Sequence, residues 1–128
     1  MNRPVFVVAG RHRPHEVLLL AVSVVSGLAY VIGAPAPGSL AALLPGWAVA
    51  VWAWGLLLSG VVGLSGVWRS LELEAAAMLL GAGALLWYAV AVAQFGWRGL
   101  FGGAVALAWA SANVWRAAQI RRDLRGIR

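Results

Sequence analysis

The sequence predicts an all-α membrane protein, with four transmembrane helices in an up-down bundle and both termini cytoplasmic. Three observations predict it. Hydrophobic residues fill 62% of the 128 positions and charged ones only 11%, more apolar surface than a soluble domain of this size can hide, whereas lipid solvates it. The apolar residues fall in runs that approach or exceed the roughly 20 helical residues needed to cross a hydrocarbon core of about 30 Å. Charge is confined to ends and turns. The corner Arg69-Ser70-Leu71-Glu72-Leu73-Glu74 is the only charged cluster between Val17 and Phe95. It reads as the tight turn of a helical hairpin at one membrane face.

Length gives one domain, residues 1–128. Residues 1–16 form a basic arm with Arg3, Arg11 and Arg13, followed by His15 and Glu16. The apolar patch at 4–9 is too short to span and is expected to rest on the membrane surface or the bundle. Pro14 suits a first helical turn, and Glu16 suits the positive end of the helix dipole. Span one covers about 17–33. A signal peptide is the rival reading, with Ala34-Pro35-Ala36 as its cleavage site, but Pro37 would hinder the cut.

Residues 34–46 hold Pro35, Pro37, Gly38, Pro45 and Gly46, which break helix. Ser39 is placed to cap a short turn through Leu44 in the interface. Span two covers about 47–68, with Trp47 and Trp68 marking the two headgroup levels. Gly55, Ser59 and Gly63 recur every fourth residue and make a small-residue stripe that lets another backbone approach. The partner is a neighbouring span or a second copy.

Span three covers about 71–95. Ser70 is its expected cap, with Glu72 and Glu74 in the first turn and Arg69 within reach of Glu72. Carboxylates at such a helix end are expected to be capped and solvated rather than an ion site. Ala77 and Gly81 add a second small stripe. A turn at 94–99 holds Trp97 and Arg98. Span four covers about 100–118, with a stripe of Ala104, Ala108 and Ala112, and with Trp115 at the interface. Asn113 is placed to hydrogen-bond across helices. The tail, 116–128, continues as an amphipathic helix. Ala117, Ile120, Leu124 and Ile127 share a face, while Arg121, Arg122, Arg125 and Arg128 lie elsewhere. It either lies on anionic lipid headgroups or extends into solvent.

Four spans put nine of the ten arginines, all but Arg98, on one side. The positive-inside rule makes that side cytoplasmic and the location the bacterial inner membrane. The net charge of +6 thus reports topology, and nucleic acid is not an expected partner.

The four apolar cores contain no Asp, Glu, Lys, Arg or His. Coupled transporters usually need an ionisable group at depth, so a small transporter or channel ranks low. There is no cysteine, and the order of His12, His15 and Glu16 matches no metal motif. No catalytic residue, cofactor or metal is expected, and no enzyme. What remains is chemistry by membrane residence: packing, self-association and surface charge.

In span count, charge layout and Ala/Gly/Trp/Arg-rich composition, the whole chain resembles small four-span holin-like membrane proteins of actinobacteria or their phages. That resemblance implies self-association in the inner membrane, permeabilising it for endolysin-dependent lysis. The alternative is a structural or accessory small subunit of a larger membrane complex. The expected partners are therefore the bilayer and its anionic headgroups, with a homo-oligomer or a membrane complex around the chain.

Overall fold

A computed structural model describes residues 14–126. Arg3, Arg11, Arg13, His12, Arg128 and the apolar patch at 4–9 lie outside the described residues. The described chain is all-helical: α1 (Pro14–Val31), α2 (Gly38–Leu43), α3 (Gly46–Arg69), α4 (Leu71–Ala93) and α5 (Trp97–Gly126). Three helices, α1, α3 and α4, are long and apolar enough to cross a membrane. α5 is longer, but its Gly, Ser, Asn and Arg residues keep it out of that class.

The helix ends follow local chemistry. Gly33 takes a positive φ of 105°, and the Ala34 N–H reaches back to the Ala29 carbonyl at 2.9 Å, a glycine-based stop for α1. Ser70 alone joins α3 to α4. It is extended, its N–H bonds to Gly66 and its carbonyl accepts from Glu74. Its hydroxyl makes no capping bond, so the expected side-chain cap is replaced by backbone bonds. Gly96, at φ 57°, turns the chain between α4 and α5.

The helices pack in chain order, with α1 on α3, α3 on α4 and α4 on α5. Each pair is antiparallel, as the close approaches show. A Cβ at Gly60 of α3 would meet the Leu20 carbonyl of α1 at 2.7 Å. Only glycine permits that backbone contact. Between α3 and α4, the Ser59 hydroxyl donates to the Ala77 carbonyl at 3.0 Å. Between α4 and α5, a Cβ at Gly81 would lie 3.2 Å from the Asn113 amide nitrogen. Thus α1, α3 and α4 form a bundle, and α5 packs along α4 and faces α1 across a seam. Among the described residues, no Cα of α1 comes within 8 Å of α5. The layer is open along that seam.

Two expectations change here. α2 does not lie free in the interface, and Ser39 does not cap it; Pro37 does, by backbone bonds alone. α2 drives Leu40, fully buried, against Trp52, Leu56 and Ala91. The basic tail continues the preceding helix as expected, but it is not lifted off the protein. It is the last third of α5, and Ala117 and Ile120 pack against Leu20, Ala75 and Met78, with Leu124 beside them. The part of the apolar face formed by Ala117, Ile120 and Leu124 therefore docks within the protein, and Ile127 lies outside the described residues.

Large apolar side chains cover the outside: Leu18, Val25, Trp54, Leu58, Leu86 and Val90 are all exposed at mid-helix. Water disfavours such a surface, and hydrocarbon accepts it. The protein is a small multi-span membrane protein.

Candidate functional site

The seam between α1 and α5 holds two cavities that meet at Ser23 and Trp109. The one at the Arg69 end is polar, about 180 Å³, and is lined among others by His15, Glu16, Ser59, Asn113 and Arg116. Its wall contains an ion network. The Arg116 guanidinium donates to Glu74 Oε1 from Nη2 at 2.9 Å and from Nε at 3.1 Å. Glu16 Oε2 lies 3.4 Å from the same Nε. Glu74 is only 3% exposed. Three helices therefore meet at one guanidinium: α1 through Glu16, α4 through Glu74 and α5 through Arg116.

The sequence points elsewhere. It pairs Glu72 with Arg69 and leaves Glu74 solvated. Arg116 finds Glu74 because the α4–α5 hairpin turns near Phe95, and both residues lie equally far from it in the chain. Glu74 also sits one turn inside α4, on the face that carries Ala77, Met78 and Gly81, so it points into the protein. Among the described residues, no three His, Cys, Asp or Glu side chains gather as metal ligands.

The second cavity is apolar and aromatic, about 330 Å³. Tyr30, Trp52 and Tyr88 line it, Tyr30 tilted at 44° to Trp52 with ring centroids 5.1 Å apart and Tyr88 stacked on Trp52 at 6.2 Å. Phe101 and Trp109 of α5 face it across the seam. The two cavities together span α5 from Phe101 to Gln119, about 27 Å of helix.

A third concavity, about 410 Å³, lies on the other side of α5, against α4. Ala89, Ala93, Gly96, Gly103 and Ala104 floor it, and Trp97, Leu100 and Leu107 rim it.

The small-residue stripes are divided between inside and outside. Ser59 and Gly63 are buried and Gly55 is half-buried; Gly55 faces Ala84 of α4, Ser59 faces Ala77 and Gly81 of α4, and Gly63 lies between Leu20 of α1 and Ala77 of α4. The five stripe positions Gly55, Ser59, Gly63, Ala77 and Gly81 are thus occupied within one chain. Ala104, Ala108 and Ala112 are exposed. The face of α5 packed on α4 is instead Gly99, Gly103, Ala106, Ala110 and Ala117, one register step from the stripe read from sequence. Trp47, Trp68, Trp97 and Trp115 are all exposed, the first three at helix ends and Trp115 beside Arg116 of the charged network. Arg69, Arg121, Arg122 and Arg125 are exposed.

Comparison with family models, curated proteins and solved structures finds no match to this chain.

Proposed function

We propose that this is a holin-like protein of the bacterial inner membrane, with both termini cytoplasmic, whose copies associate and make the membrane permeable. In this reading α5 supplies the fourth crossing: residues 97–115 extend about 28 Å, close to the hydrocarbon thickness. The arginine distribution supports the orientation.

The observation that carries the reading is the concavity on the α4–α5 hairpin. Ala93, Gly96 and Ala104 are exposed there, small side chains set between the larger Trp97, Leu100 and Leu107. In lipid, association is driven by close van der Waals packing, which small residues permit. The stripe of Gly55, Ser59 and Gly63 does not serve this role, since α4 and, at Gly63, α1 already cover it.

The test is induced expression in a bacterial host, following membrane potential and optical density with and without a cytoplasmic endolysin. Abrupt depolarisation at a reproducible time, with lysis only when endolysin is present, is the expected result. Sustained expression with normal potential and growth rejects the reading. The accessory subunit then stands in front, with a larger partner covering the same concavity.

A further inference from the structure

We propose that the groove between the start of α4 and the end of α5 binds one anionic lipid, its phosphate held by Arg121 and Arg125 and its acyl chains laid along the two helices toward the membrane centre. This goes beyond the function proposed above and does not depend on self-association, whose concavity lies at the other end of the α4–α5 hairpin.

The groove holds about 390 Å³, with Glu72, Ala75 and Ala76 of α4 on one wall and Arg121, Leu124 and Arg125 of α5 on the other. Arg121 and Arg125 are four residues apart and so share a face of α5. Both are exposed, and neither has an ion-pair or hydrogen-bond partner among the described residues. Arg116 differs, since Glu74 and Glu16 already occupy it. Two guanidinium forks at one groove match the oxygens of a phosphate. Glu72 adds an acceptor on the facing wall. It suits a hydroxyl beside that phosphate and disfavours a second anion. The chemistry is that of a phosphodiester with a hydroxylated headgroup, as in phosphatidylglycerol.

The rest of the lining separates a lipid from a soluble phosphate. Ala75, Ala76 and Leu124 are apolar, and apolar surface continues away from the arginines. Leu80, 42% exposed, lies one turn beyond Ala76 on α4, and Val114, 50% exposed, lies two turns before Arg121 on α5. A stripe that passes from guanidinium groups to exposed leucine and valine matches an amphiphile. The depth agrees. α4 is long and apolar enough to cross a membrane, and its 23 residues extend about 35 Å. Its first two turns, which hold Glu72, Ala75 and Ala76, therefore lie where hydrocarbon gives way to headgroups.

The test uses the full chain, purified in detergent micelles, with bound lipids counted by native mass spectrometry. The probes are phosphatidylglycerol and phosphatidylethanolamine with the same acyl chains, and soluble glycerol phosphate as competitor. Phosphatidylethanolamine is the strict comparator, because its ammonium suits Glu72 while its phosphate suits the arginines. One phosphatidylglycerol should bind per chain, about tenfold more tightly than phosphatidylethanolamine, and excess glycerol phosphate should not displace it. The preference should be lost in Arg121→Gln with Arg125→Gln. It should persist in Arg98→Gln with Arg122→Gln, which removes the same charge from exposed positions outside the groove. Equal affinity for the two lipids, binding that does not saturate at one lipid per chain, displacement by glycerol phosphate, or equal behaviour of the two double variants overturns the proposal.

Discussion

Arg116 and Glu74, 42 positions apart in the chain, form a two-point ion pair at 2.9 and 3.1 Å that ties α5 to α4 in the interior of the protein. Glu16 joins at 3.4 Å from α1, whose Leu20 also packs with Ala117 and Ile120 of α5. The open seam is therefore latched at its charged end and unlatched along the rest. A buried pair of this kind is weak evidence for net stability. Removing one partner is costly, because the other is left as an uncompensated charge.

The first prediction follows from that asymmetry. Arg116→Leu strands Glu74 and should destabilise the protein by about 3–5 kcal/mol, while Glu74→Leu with Arg116→Leu should recover most of the loss. Reversible unfolding in mixed micelles measures both. A cost under about 1 kcal/mol for Arg116→Leu would mean that the pair behaves as a solvated surface bridge, and the latch would be discarded.

The helical hairpins were legible in the sequence because their signals are local: apolar run length, Trp at the ends of α3, Pro and Gly in the links. The latch was not, because it depends on register. The corner at Ser70 and the turn at Gly96 act as two folding points. Reflection about the first brings Ser59 to Gly81 and Ala77, and reflection about the second brings Glu74 to Arg116 and Gly81 to Asn113. Applying that reflection to the charged residues would have found the pair. The contact of Gly60 with Leu20 was hidden for a different reason. α3 carries small residues on two adjacent faces, and a stripe read at every fourth position, Gly55–Ser59–Gly63, starts on the face toward α4, reaches α1 only at Gly63 and passes over Gly60. On α5 the same rule selected Ala104, Ala108 and Ala112, although Gly99, Gly103 and Ala106 face α4. With alanine or glycine at so many neighbouring positions, composition cannot choose the register; the Gly96 turn does.

The second prediction concerns sidedness and the crossing by α5. The protein has no cysteine. Gln94 lies in the α4–α5 turn and Gly126 ends α5, and both are exposed. Gln94→Cys should react with a membrane-impermeant maleimide on intact cells. Gly126→Cys should react only after permeabilisation. Reaction of both on intact cells would show that α5 does not cross, and the reverse pattern would invert the orientation drawn from the arginines.

The last prediction separates assembly from folding. Ala104 is exposed and sits in the floor of the concavity on the α4–α5 hairpin. A leucine there has room in a single chain, so Ala104→Leu should leave the unfolding free energy within about 0.5 kcal/mol of the parent. Between chains the same side chain holds a second helix away from Gly103 and Gly96, removing the close packing on which association in lipid depends. Crosslinking in membranes should then show the oligomers of the parent lost or reduced. Depolarisation after induction should be late or absent at matched expression. Ser59→Leu is the contrasting variant. Ser59 is buried and bonded to Ala77, so that change should damage the fold itself and be visible as a loss of stability before any effect on assembly. If Ala104→Leu assembles and depolarises like the parent, the concavity is lipid-covered and the association face lies elsewhere on the protein.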